Sequence, residues 1–143
     1  MKQSYKGRFT PQNKSKYVGN VDNIIYRSLL ERRFMQYCDR NPNIQYWGSE
    51  EIIIPYYNPA DKKYHRYFPD FILKTVKGEK FVVEIKPHRK LSPPSIPKRQ
   101  SQRYLNEAFD YVRNKSKFSA AEKWCEDKGC KFVIMTEKHL NAY

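Results

Sequence analysis

Asp70, Glu84 and Lys86 are the residues of this chain whose types and spacing suit chemistry. They lie in RYFPDFILKTVKGEKFVVEIKPHRK, residues 66–90. One carboxylate follows Pro69; past a Lys-Gly turn, a second carboxylate and an ammonium stand two apart among Phe81, Val82, Val83 and Ile85. Residues two apart in a strand share a face, so the loop joining the two strands decides what meets what. With the turn centred on Lys77, Asp70 faces Glu84, Phe68 faces Lys86 and Ile72 faces Val82. Phe71, Leu73, Phe81, Val83 and Ile85 then form an unbroken apolar opposite face. A two-residue turn on Lys77-Gly78 would slip the register by one and bury Glu84 and Lys86 beside Phe71 and Leu73, at a cost on the order of several kcal/mol per ion. The odd-length loop is therefore expected, with Gly78 as its left-handed residue.

Two close carboxylates repel, and each raises the other's pKa unless a cation lies between them. Mg²⁺ fits that place: it takes hard oxygen ligands, keeps several waters and stays open to a phosphate, and Mn²⁺ is a possible substitute. Lys86 on the same face can orient or deprotonate an attacking water, or offset charge in the transition state. The chemistry indicated is metal-assisted phosphodiester hydrolysis.

The elements that must position these groups follow from pattern. A helix is expected over residues 27–39, opened by the capping box Ser28-Leu29-Leu30-Glu31, stopped before Asn41-Pro42, with Leu30, Phe34 and Tyr37 as its buried stripe. Strands are expected over residues 44–47 and 50–57, then a long strand over 64–74 with its hairpin partner at 80–86. Residues 87–100, PHRKLSPPSIPKRQ, read as a stiff, proline-rich basic connector. Tyr104, Leu105, Ala108, Phe109 and Val112 predict one helix. Ala121, Trp124 and Cys125, behind a second capping box at Ser119, predict another that ends at Gly129. CKFVIMT, residues 130–136, reads as a last buried strand. The fold class expected is α/β, a mixed sheet flanked by helices.

At 143 residues the chain suits a single core. The domain expected is residues 23–143, preceded by a basic arm, residues 1–22, that orders on a partner. The formal charge of +13 is concentrated in residues 1–20 and 86–106, two stretches without a single acid. Basic runs with interleaved Tyr5, Phe9, Tyr17 and Tyr104 suit a polyanion such as double-stranded DNA. A solvated surface with a loose tail is the plainer alternative. Arg66, His88, Arg89, Lys90, Lys98, Arg99 and Arg103 are the candidate DNA contacts. Cys38, Cys125 and Cys130 lack CxxC spacing and read as reduced thiols; no stretch has the length of a membrane span, so no membrane partner is expected. No Gly-rich phosphate loop or Ser-His-Asp arrangement is evident, which removes support for nucleotide hydrolysis and acyl transfer.

Pro69-Asp70 followed by Glu84-Ile85-Lys86, with Glu31 on a preceding helix, resembles the PD-(D/E)xK nuclease superfamily. Three longer stretches, YVGNVDNIIYRSLLERRFMQY, SEEIIIPYYNPADKKYHRYFPDF and RYLNEAFDYVRNKSKFSAAEKWCEDKGCKFVIMTEKHL, resemble the head completion nucleases of T-even-type tailed phages. That family is similar in turn to the endonuclease subunit of a heteromeric bacterial transposase. The resemblance implies a restriction-endonuclease-like fold and Mg²⁺-dependent endo- and exonuclease activity on DNA. It also implies a role in the host cytoplasm and the virion as filled heads are readied for tails, with portal, head or neck proteins as partners. It assigns Asp70 and Glu84 as metal-binding acids, Lys86 as the catalytic lysine, and Glu31 as an acid reaching the metal directly or through water.

Each residue also has a purely structural reading. Glu31 is a good capping-box acid. Asp70 could be a turn residue at a strand edge, and Glu84 with Lys86 a cross-strand ion pair. Arg66 could simply point outward, and the connector could be a solvated loop. His65, His88 and His139 lack ligand spacing. A structural DNA-binding protein of the phage head or neck, with an unused nuclease scaffold, is the competing function. Restriction-like defence, a third, would require a defined cleavage sequence.

Overall fold

The structure, a computed structural model, describes residues 6–140. In chain order it has β1 (Gly7–Arg8), β2 (Ile25–Tyr26), α1 (Leu29–Arg40), β3 (Ile44–Ser49), β4 (Ile54–Asn58), β5 (Lys63–Tyr67), β6 (Phe71–Thr75), β7 (Lys80–Ile85), α2 (Gln102–Lys128), β8 (Lys131–Met135) and α3 (Glu137–Leu140). The central sheet has the order β3-β6-β7-β8, with β8 parallel to β7 and the other pairs antiparallel. A parallel neighbour needs a long crossover, which the connector and α2 supply.

The register of the β6-β7 hairpin is the one expected from the odd loop: Phe71 pairs with Val83, Ile72 with Val82 and Leu73 with Phe81. Thr75 N donates to Glu79 O and Gly78 N to Thr75 O, closing a tight loop in which Gly78 takes φ 94°. Phe71, Leu73, Val83 and Ile85 bury the expected apolar face against Phe34, Met35 and Cys38 of α1, with Trp47 of β3. The opposite face is covered too. The β4-β5 hairpin and α2 enclose Ile54, Tyr56, Tyr67 and Ala121 there, beside Trp124 and Phe132.

Three elements depart from the pattern reading. The long strand over residues 64–74 is broken at Phe68-Pro69-Asp70: β5 pairs with β4 in a separate two-stranded sheet, and β6 joins the central one. Pro69 has no N–H to give a ladder, and it lies buried at the break. The two helices after the connector are one, capped by Ser101, whose Oγ accepts from Tyr104 N, and ended by Gly129 at φ 73°. Ser119 caps nothing because neither Gly nor Pro interrupts residues 102–128. Phe109 and Val112 are exposed rather than buried, while Tyr104, Leu105, Ala108 and Tyr111 of the same half of α2 are half-buried. Residues 87–100 form no α-helix or strand and contain a 3₁₀ turn at His88–Leu91.

The third departure is the N-terminal arm. Residues 1–5 lie outside the described residues, but from Lys6 onward the segment is built into the core. β1 pairs with β2, Phe9 is buried with its ring 5.9 Å from that of Trp47, and the Tyr17 ring stands 4.7 Å from Trp47 on another side. The buried Asp39 accepts from Gln12 N and Asn13 N, each at 2.9 Å. Lys16 Nζ donates to the carbonyls of Cys38, Asp39 and Asn41 at 2.7, 3.1 and 2.8 Å, satisfying the C-terminal end of α1. Phe9 and Tyr17 are core anchors. Lys16→Met should therefore lower stability by about 2 kcal/mol, since it removes charged hydrogen bonds to helix carbonyls while keeping the stem. An unchanged urea midpoint would show that water replaces them without loss.

Candidate active site

The break at Pro69 and the register of β6-β7 bring Asp70 to the end of β7. Asp70 Oδ2 accepts from Ile85 N at 2.8 Å, and Asp70 O accepts from Glu50 N at 3.1 Å, which fixes the residue by backbone contacts on both sides. Glu84 is only 6% exposed, unusual for a carboxylate and tolerable because both its oxygens are partnered. Oε1 accepts from the Tyr67 hydroxyl at 2.5 Å, and Oε2 lies 3.3 Å from Lys86 Nζ.

Burial, then the neighbouring Glu84 charge and, more weakly, Glu31, push the Asp70 carboxyl well above its ordinary pKa; the Ile85 N–H and Lys86 only partly oppose them. Burial also raises Glu31. Glu31 caps α1 and lies within electrostatic reach of Asp70. Its N–H donates to Ser28 Oγ, and the Ser28 hydroxyl donates to Glu31 Oε2 at 3.2 Å, a capping interaction, yet its charge is felt at Asp70.

Among the described residues no group of three or more His, Cys, Asp or Glu side chains forms a ready metal cage. The donors present, two crowded carboxylates beside a strand-end carbonyl, are hard oxygens. They fit a cation that retains water, such as Mg²⁺, better than one needing a closed protein shell. Glu31 stands outside any such closed set.

Four nearby residues escaped the sequence reading. Tyr67, the partner of Glu84, would lie opposite Asp70 in a continuous strand; the break resets the alternation and turns it inward. The same reset takes Arg66 off the Asp70 side: it is exposed on β5, with its guanidinium 5.7 Å from the Phe68 ring centroid. Lys117 of α2 sits with Nζ 5.4 Å from the Tyr67 ring and 5.9 Å from that of Tyr56. Burial lowers its pKa, helped by Arg113 and Lys86 and opposed by Glu84 and Asp70. Arg27 pairs with Glu50, a residue at φ 54°, and feels the charges of Glu31 and Asp70. Helical spacing alone could not have placed Lys117 there, because α2 meets the site only through tertiary packing.

Of the candidate DNA contacts, Arg89, Lys90 and Arg103 meet along one cleft of about 340 Å³ between the connector and α2. Arg103 also pairs with Glu107 at 3.1 Å. Lys98 and Arg99 are exposed on the connector outside that cleft, and His88 N donates to Glu137 Oε1 at 2.9 Å.

A mixed four-stranded sheet between helices, with two acids and a lysine at the end of its central hairpin, has the architecture of restriction-endonuclease-like nucleases. The chain belongs to the TnsA-like endonuclease N-terminal family, whose model matches residues 41–137 and so spans Asp70, Glu84 and Lys86 but not Glu31. It is also 40% identical to the head completion nuclease of Enterobacteria phage T4, over 97% of this chain and 95% of that relative. Both comparisons make it a nuclease.

Proposed function

We propose that this nuclease is a Mg²⁺-dependent phosphodiester hydrolase that cuts double-stranded DNA with little sequence preference. In this reading it processes the DNA ends of filled phage heads before tails join. The observation that carries the chemistry is the crowding of Asp70 against Glu84 with Lys86 Nζ 3.3 Å from Glu84 Oε2. The similarity to a head completion nuclease supports the biological setting. Portal, head or neck proteins would be its partners, met in the host cytoplasm or in the virion.

Asp70 and Glu84, with the Ile85 carbonyl, would hold the metal, and Glu31 would act on it through water. When bound, Mg²⁺ supplies Lewis-acid polarisation of the phosphate and a more acidic water. Lys86, kept beside Glu84, positions its ammonium to orient the nucleophile and offset developing charge. Tyr67 holds the Glu84 carboxylate in one rotamer. Arg89, Lys90 and Arg103 engage phosphate and fix the duplex without reading bases.

Supercoiled and linear duplexes incubated with Mg²⁺ test the reading: nicking and degradation at scattered positions are expected. A single recurrent cut sequence would favour defence instead, and binding without cutting would favour the structural protein. Tyr67→Phe keeps the ring and loses one hydrogen bond to a buried carboxylate. It should lower cleavage by about 10- to 100-fold with duplex affinity unchanged. Parent-like cleavage by Tyr67→Phe would remove Tyr67 from the mechanism.

A further inference from the structure

Tyr57 and Tyr64 face each other across the β4-β5 hairpin, their rings edge to face with centroids 5.2 Å apart. Tyr64 is 79% exposed and Tyr57 45%, a large apolar expense for a two-stranded sheet at the surface. The tyrosines form one wall of a groove of about 670 Å³. The other wall is a single face of α2, with Lys115, Ser116, Ser119 and Lys123 in reach, and the lining holds no acidic side chain among the described residues.

We infer that this groove binds an unpaired strand of DNA running away from the cleavage site. The inference rests on the nuclease reading and refines its substrate. A duplex hides the faces of its bases, so exposed rings gain little from it. An unpaired strand offers both what tyrosines stack on and what lysines neutralise. Ser119 adds a hydroxyl able to donate to a phosphate oxygen, whereas that of Ser116 donates to Val112 O at 3.1 Å.

The groove is joined to the site already described. Tyr56 lines it and also lies 5.9 Å from Lys117 Nζ, which in turn sits 5.4 Å from the ring of Tyr67, the residue bonded to Glu84. Tyr56 and Tyr67 are buried, so the groove and the acids belong to one packed unit rather than to separate parts of the molecule. The substrate implied is a duplex with a frayed or tailed end.

Fluorescence anisotropy with chelator present, so that nothing is cut, provides the test. The probes are a labelled oligothymidylate of about twelve nucleotides, a length matched to such stacking sites, and a blunt duplex. Tyr57→Ala with Tyr64→Ala should weaken oligothymidylate binding at least about tenfold and blunt-duplex binding less than about twofold. Tyr64→Trp should retain oligothymidylate affinity, which separates stacking from folding. Lys123→Glu should weaken it and flatten its salt dependence. Equal losses on both probes, or no loss on either, would overturn the inference and leave a general duplex contact or a protein-docking surface. If the parent cuts duplex DNA yet binds no oligothymidylate, the inference fails and the nuclease reading stands. If it neither binds nor cuts DNA of any form, the nuclease reading fails first.

Discussion

Asp70→Asn is expected to abolish cleavage, by a factor of about 10³ or more, while raising the melting temperature of the metal-free protein. The loss follows from removing one of two acids around which the site is built. The gain follows from electrostatics. Burial and the nearby Glu84 hold the Asp70 pKa well above its ordinary value, so its surroundings oppose an ionised carboxylate in the folded protein. The neutral amide keeps the shape and can still accept from Ile85 N, for a gain of about 1–3 kcal/mol.

The sign of the pH dependence is fixed by the same shift. A raised carboxyl stabilises the folded state fully below its unfolded pKa, and that contribution is lost as pH rises through the folded value. The advantage of Asp70→Asn over the parent should therefore grow as pH rises toward the folded value and shrink on acidification. Melting curves across pH would show this. A variant less stable than the parent at neutral pH would mean that Asp70 serves the fold rather than straining it.

Deletion of residues 2–17 should leave no cooperatively folded protein. Losing a buried aromatic such as Phe9 costs about 3–5 kcal/mol. Leaving Asp39 buried without its two N–H donors costs about as much again, and the carbonyl contacts of Lys16 go with them. Those losses rival the ~5–15 kcal/mol stability of an ordinary domain. Circular dichroism on heating would show a broad, non-cooperative change. A sharp transition in the truncated chain would instead establish the segment as a detachable arm. Its role toward DNA is better probed with Lys6→Ser and Lys14→Ser, since both side chains are exposed and can be neutralised with the fold intact.

How far the sequence carried depended on whether a feature was local. The odd loop centred on Lys77 set the pairing of Phe71 with Val83, and with it the meeting of Asp70 and Glu84, because period-two alternation leaves little freedom once one face is apolar. Ser28 and Gly129 marked helix ends by short-range hydrogen bonding and backbone conformation. Phe9 and Tyr17 were misread because their setting is basic, proline-interrupted and without period, and their partner Trp47 is distant in sequence. Tyr67 was hidden by Pro69, which ends one strand and resets which side each residue faces. Lys117 lies in a helix whose polar residues all look alike until the β4-β5 hairpin covers one of them.

The central claim is that the β6-β7 hairpin carries a working metal-dependent nuclease site. Its most direct test is cleavage of supercoiled duplex DNA by the parent and by Lys86→Ala, each with Mg²⁺ or with chelator, beside a binding gel on the same samples. Nicking is expected from the parent with Mg²⁺ alone, reduced by at least about 10³-fold in Lys86→Ala, with both proteins shifting the DNA equally. Cleavage that persists in chelator or in Lys86→Ala would contradict the claim, and so would a parent that binds duplex DNA but cuts it with no divalent metal.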